Sequence, residues 1–200
     1  MRAESLAHPV LGRLAEQLTT YVPVDGLHAA AGARWLAAVA AVFRVRDGTL
    51  ELLFIKRAEH AGDPWSGHMA FPGGRHEPED ESLEQTAIRE TREELALDLT
   101  AGQLLGRLDD LAPINPSLPP FMLRPFVAVV PAAVDLQPSH EVAATYWVPF
   151  EQLRHEDTRT EHVMTINGKS ATFPGFRVDT HVVWGLTGRI VRQLLSLTTP

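Results

Sequence analysis

Glu90, Glu93 and Glu94 are the residues of this sequence best suited to carry chemistry. They stand in the run Arg89-Glu90-Thr91-Arg92-Glu93-Glu94, inside a segment, Ser82–Leu95, that reads as a helix. At about 100° per residue the three carboxylates share one helix face, within an arc of about 100°. Like charges at this spacing destabilise a helix by about 0.2–0.5 kcal/mol per pair. They also occupy its second half, where the macrodipole disfavours negative charge. A bound cation offsets both effects. Carboxylate oxygens are hard ligands, so Mg2+, Mn2+ or Ca2+ is expected over zinc. The diglycine Gly73-Gly74 ahead of the helix lets backbone approach a ligand, and its carbonyl can supply a further oxygen. An acidic triplet alone is most often a solvated helix face; the fixed spacing to the diglycine is what makes this one a candidate site.

Other elements must hold that face in place. Leu6, Val10, Leu11, Leu14 and Leu18 fall at helical spacing within residues 4–21, with Pro9 near the first turn. Trp35–Val45 and Leu50–Ile55 are apolar, strand-length runs joined by Asp47-Gly48, a hairpin turn signal. Residues 60–80 are rich in Gly and Pro and read as loop. Ser82 and Gln85 form a candidate capping box at the start of the acidic helix, and Ile88, Thr91 and Leu95 are the side that anchors it. Leu104–Leu108, Met122–Val130 and Tyr146–Val148 are further strands, with the proline-rich stretch 112–120 between the first two. Pro149–His155 resembles a helical turn. Asn167-Gly168 predicts a hairpin of His162–Ile166 with Ser170–Phe173, and Thr180–Leu197 a closing helix. Strands and helices interleave without strict alternation, which predicts an α/β (α+β) chain with a mixed sheet between helices.

The segment Gly73–Leu97 resembles the Nudix box, G-x5-E-x7-R-E-U-x-E-E-x-G-U with U aliphatic. Glu81, Arg89, Glu90, Glu93, Glu94 and Leu97 match it. Six residues in place of five separate Gly74 from Glu81, Thr91 takes an aliphatic position, and Ala96 replaces the last glycine. The extra residue, the run Leu52-Leu53-Phe54-Ile55-Lys56-Arg57, the stretch Gly67 to Phe71-Pro72-Gly73-Gly74, and Pro125-Phe126-Val127 are similar to the coenzyme A diphosphatase branch of that superfamily; Trp65 stands where that branch has histidine. The resemblance implies a Nudix fold over 33–200, with the box at 73–97 and residues 1–32 as an N-terminal helical arm. It implies Mg2+ or Mn2+ on Glu90, Glu93, Glu94 and the Gly73 carbonyl, and substrate contacts from Arg57, Phe71, Gly73 and Gly74. Arg89 and Glu81 are expected as an ion pair holding loop to helix, and Glu141, ahead of a V-x-x-x-x-W-V run, as a candidate distal base. Trp147 and Trp184 are expected in the core.

The implied activity is metal-dependent hydrolysis of a nucleoside diphosphate linked to another group. Coenzyme A or an acyl derivative is the first substrate expectation, giving adenosine 3′,5′-bisphosphate and (acyl)phosphopantetheine; ADP-ribose, NADH and dinucleoside polyphosphates are alternatives. A catalytically inactive Nudix sensor or interaction module is a different class, and the intact carboxylate set argues against it. Composition narrows the field further. No cysteine is present, which excludes disulfides, thiolate metal sites and cysteine nucleophiles. Lys and Arg number 18 against 25 Asp and Glu, a net −7 that disfavours a general nucleic-acid binder. The apolar run Trp35–Phe43 is far shorter than the ~20 residues a membrane helix needs. A small-molecule nucleotide partner, no membrane, a possible homodimer and a cytoplasmic location are the corresponding expectations.

Overall fold

The computed structural model describes residues 5–26, 33–99, 103–114, 118–166 and 169–199. Among them, helix α1 (Pro9–Thr20) is followed by strands β1 (Trp35–Arg46), β2 (Thr49–Arg57), β3 (Met69–Ala70) and β4 (Gly73–Arg75). Helix α2 (Leu83–Leu95) comes next, then β5 (Gln103–Arg107), β6 (Phe121–Val129) and β7 (Val142–Pro149). A 3-10 turn at Phe150–Arg154 leads to β8 (Arg159–Ile166), β9 (Lys169–Val178), β10 (His181–Val183) and helix α3 (Gly185–Leu197).

The main sheet runs β3-β2-β1-β6-β5, with β4 also on β1 and β7 also on β2. β1 and β6 are parallel and the other pairs antiparallel, so the sheet is mixed as expected. Strand alternation sends side chains to two helical layers. Phe43, Leu52, Phe54, Val127 and Val129 face the layer that holds Leu11 and Leu14 of α1 and Ile190 and Leu194 of α3. Val42, Leu53, Ile55, Ala128 and Val130 face the other way and pack with Leu95, while Ala38 and Phe126 pack with Leu83 and Ala87. Thr91 and Leu95 are fully buried, the anchoring side expected of α2.

The stretch read as loop contains two short strands. The β1–β2 hairpin turns at Asp47-Gly48, both at positive φ, and pairs from Arg46↔Thr49 to Phe43↔Leu52. Beyond that point the two strands part. Their opened edges carry backbone donors and acceptors that need partners, and β4 takes the edge of β1 while β3 takes that of β2. The diglycine is therefore strand, not turn. A Cβ on Gly73 would lie 2.2 Å from the Ala38 carbonyl oxygen, and its φ of +145° is one that L side chains rarely adopt.

Two further boundaries differ from expectation. β7 is longer than Tyr146–Val148 because it pairs with β2 from Glu51↔Pro149 to Arg57↔Val142. Residues 181–183 are strand rather than helix: Val182 and Val183 pair with β9, and α3 begins only at Gly185, whose φ is +63°. The β8–β9 hairpin forms in the expected register, His162↔Phe173 and Ile166↔Lys169; the Asn167-Gly168 turn lies outside the described residues. No helix among the described residues is long and apolar enough to cross a membrane.

α2 is closed at both ends. Ser82 Oγ accepts from the Gln85 N–H at 3.2 Å. Ala96 ends the helix in the left-handed conformation at φ 53°, where a glycine is ordinarily found. A Cβ there costs about 1–2 kcal/mol. Ala96→Gly should raise stability by about 1 kcal/mol, read as a melting temperature about 2–4 °C higher; an unchanged or lowered melting temperature would show that the helix end carries no such strain.

Candidate active site

The acidic helix is locked to the loop before it by Arg89. Its Nε and Nη2 each donate to the Asp80 carboxylate at 2.9 Å, and Nη2 also donates to the Arg75 carbonyl at 3.0 Å. Asp80 accepts in addition from Thr86 Oγ1 at 2.9 Å and the Glu77 N–H at 3.0 Å. His76 lies on Thr86 Oγ1 through Nδ1 at 2.9 Å. Asp80 is 5% exposed, and the Arg89 bonds hold its carboxyl well below the usual carboxylate range despite that burial. The ion pair expected between Glu81 and Arg89 is not formed. Glu81 is exposed, and its neighbour Asp80 takes the role because the turn before Ser82 points it inward.

The remaining Arg89 nitrogen, Nη1, donates to Glu90 at 3.0 Å and Glu93 at 3.1 Å. Glu90 and Glu94 press on the diglycine. Glu94 is buried, and its Oε2 accepts from the Gly73 N–H at 2.8 Å. A Cβ on Gly74 would lie 2.6 Å from Glu90 Oε1, so a side chain there would displace the Glu90 carboxylate. Glu93 is 57% exposed and stands apart. Among the described residues, no three Asp, Glu or His side chains already form a closed set around a metal. The helix face therefore brings Glu90 and Glu94 together at the strand, with Glu93 at the rim.

Glu141 joins them electrostatically. The Gln137 and Ser139 N–H groups donate to the Leu95 and Glu94 carbonyls at 2.9 and 2.8 Å, capping the end of α2 and bringing the 137–141 segment over it. Burial pushes the Glu94 carboxyl up to about 8, against the Gly73 N–H bond that favours the anion, and the charges of Glu90 and Glu141 add to the rise. Burial likewise raises Glu90, opposed by Arg89 and reinforced by Glu93 and Glu141. Oxygen donors that lack sufficient countercharge fit a hard divalent cation.

A cavity of about 600 Å3 opens beside this cluster, sharing Gly73, Gly74 and Arg57 with it. Its walls are mostly apolar. Trp35 stacks on Phe121 at 5.7 Å and Trp65 meets the same ring edge-on at 5.5 Å. Trp184 stacks on His162 at 4.0 Å and has His68 at 5.0 Å; it lines the cavity rather than the core. Trp147, by contrast, packs against the core and under the Arg44 guanidinium. Pro113, Ile114 and Leu118 of the proline-rich stretch also reach the cavity. Arg57 donates from Nη2 to Asp63 at 2.9 Å, and its buried Nε has no partner among the described residues. Phe71 is 2% exposed and stacks on Phe54 at 5.0 Å, so it forms the cavity floor as a core residue. Sequence reasoning missed Asp80 and the cavity's aromatic walls; only the crowding of Trp and Phe ahead of the diglycine hinted at the latter.

Asp80→Asn should cost about 3 kcal/mol at pH 7, the scale for breaking a buried ion pair, by urea denaturation. Because the Asp80 carboxyl is depressed in the folded state, this contribution is complete above about pH 4. It is lost as pH falls further, so the gap between wild type and variant should close in acid. Glu81→Gln should shift stability by less than about 0.5 kcal/mol; equal losses in both variants would return the ion pair to Glu81.

Comparison with known proteins agrees with this geometry. Residues 35–166 match the NUDIX domain family. The uncharacterised Nudix hydrolase NudL of Yersinia pestis (strain Pestoides F) is 32% identical over 146 residues, covering 72% of this chain and 70% of the relative. An Ap4A hydrolase of C. elegans, solved as a binary complex, is 25% identical with a TM-score of 0.50 over 58% of this chain and 81% of its own. A MutT/nudix family protein from Enterococcus faecalis shares the fold over 98% of this chain and 73% of its own, with a TM-score of 0.57 at 16% identity. An arginine-locked acidic helix beside a diglycine strand is thus found where the family domain aligns, and this chain belongs to the Nudix hydrolases, enzymes that act on pyrophosphate bonds.

Proposed function

We propose that this chain hydrolyses a nucleoside diphosphate linked to another group, with coenzyme A or an acyl-coenzyme A as its substrate and Mg2+ or Mn2+ as its metal, in the cytoplasm. The observation that carries this reading is the placement of Glu90 and Glu94 against the Gly73-Gly74 backbone at the edge of a largely apolar cavity. A divalent cation, when bound, neutralises the diphosphate and lowers the pKa of a water. Glu90, Glu93 and Glu94, with the Gly73 carbonyl, are the residues to hold it.

Each side chain has a task of its own. The Gly73 N–H fixes one Glu94 oxygen, and the other accepts no hydrogen bond among the described residues. Arg89 fixes one oxygen of Glu90 in the same way, acting as a positioning residue. Arg57 lines the cavity with its Nη2 held by Asp63 and is the candidate to meet phosphate. Glu141, exposed and close enough to raise Glu90 and Glu94, is the candidate proton acceptor for the attacking water. The aromatic walls supply flat surfaces for a base and an apolar path for a long substituent. A dinucleoside polyphosphate is a second reading, favoured by the likeness to the C. elegans Ap4A hydrolase.

A panel of coenzyme A, an acyl-coenzyme A, ADP-ribose, NADH and Ap4A, incubated with Mg2+ or Mn2+ and read by mass, tests this directly. Adenosine 3′,5′-bisphosphate and phosphopantetheine are the expected products; faster cleavage of ADP-ribose or Ap4A would replace coenzyme A as the substrate. Glu93→Gln and Glu94→Gln keep shape and remove charge, so turnover should fall by orders of magnitude while melting temperature changes little. Full activity in both variants would remove these carboxylates from the reaction.

A further inference from the structure

Several arginines of this acidic chain form ion pairs with carboxylates. Arg44 pairs with Glu51, Arg57 with Asp63, Arg89 with Asp80 and Arg124 with Asp110. One group does not. Arg189 and Arg192 of α3 line the main cavity, on an element remote from Arg57 and Gly73. Arg192 also borders a smaller adjoining cleft of about 390 Å3 together with Arg154 and Arg159. Arg154 is occupied, by Glu151 at 3.1 Å and by the Thr198 carbonyl at 3.2 Å. Arg159 lies over the Phe176 ring at 4.6 Å, and Arg189 donates to the Ala112 carbonyl at 2.8 Å. Among the described residues, no carboxylate forms an ion pair with Arg159, Arg189 or Arg192. Burial and the charges of Arg189 and Arg159 depress the Arg192 guanidinium, the mark of cations gathered without an anion.

An anion of two charges would relieve this crowding. The scissile diphosphate is not that anion on the reading above, because its charge is met at the carboxylate helix and by Arg57. A phosphate monoester carries about −1.5 to −2 at pH 7 and offers oxygens that match the guanidinium fork. We infer that Arg189 and Arg192, with Arg159 behind them, form a second anion-binding subsite for a phosphomonoester that the substrate carries in addition to its diphosphate. This rests on the proposed function and sharpens it, since coenzyme A carries such a group on its ribose and ADP-ribose, NADH and Ap4A do not. It assigns selection for that phosphate to the closing helix α3.

The test is binding by calorimetry of coenzyme A and its 3′-dephospho form, in metal-free buffer, to wild type, Arg189→Ala, Arg192→Ala and Arg192→Lys. Wild type should bind coenzyme A at least tenfold more tightly than the dephospho form. Each alanine variant should narrow that ratio severalfold, and Arg192→Lys should keep part of it. In turnover the loss should appear in KM for coenzyme A rather than in kcat. Equal affinities for the pair in wild type, no measurable binding of either compound, or a ratio that survives both alanine substitutions would overturn the inference. Failure to cleave coenzyme A with metal present, while the affinity ratio and its dependence on Arg192 hold, would instead overturn the proposed substrate and leave the subsite standing.

Discussion

The bond from the Gly73 N–H to Glu94 ties the acidic helix to the sheet, and much else follows from it. Glu94 is buried, and a buried carboxylate is tolerated only where hydrogen bonds or countercharges meet it. Gly73 can supply its N–H because it lies on β1 without a side chain, close enough that any Cβ would strike the Ala38 carbonyl. That position exists because β1 and β2 separate after four paired residues each and leave an edge for β4. Hairpin, diglycine and acidic helix are therefore one assembly, and the carboxylate is placed by strand pairing rather than by a flexible loop.

Arg89 completes the assembly from the opposite end of the loop. It satisfies Asp80, the Arg75 carbonyl and one oxygen each of Glu90 and Glu93. One cation thus offsets the repulsion along the helix face while fixing where two of its acids point. The repulsion it does not relieve is visible at Glu94, where Glu90 and Glu141 add to the effect of burial. Such imbalance in a cleft is a feature of sites built to take a charged partner.

Much of this was legible in the sequence. The β1–β2 hairpin announced itself by Asp47-Gly48, the helix α2 by Ser82 and its period, and the site by the spacing of Glu90, Glu93 and Glu94 to the diglycine. What escaped depended on tertiary pairing. β3 and β4 are too short to show a period, and the first half of β7 is mostly small or polar and owes its strand form to β2. Asp80 and Glu81 are adjacent acids, and only the path of the turn decides which one meets Arg89. Val182 and Val183 suit a strand as well as the helix predicted there, and pairing with β9 decided it. Arg189 and Arg192 look like an ordinary helix face until the cavity shows what they border.

The cavity draws its walls from segments far apart in the chain. The floor belongs to the strands that hold the carboxylates, whereas Ile114, Leu118, Phe173 and Trp184 arrive from the proline-rich stretch, β9 and the start of α3. Those wall residues touch neither Glu90 nor Glu94 through any hydrogen bond or ion pair among the described residues. The carboxylates and these cavity walls are thus written in separate stretches of polypeptide. Inheritance can rewrite the second stretch, lengthening it or exchanging its aromatic and basic groups, and leave the acidic helix and its diglycine strand unaltered.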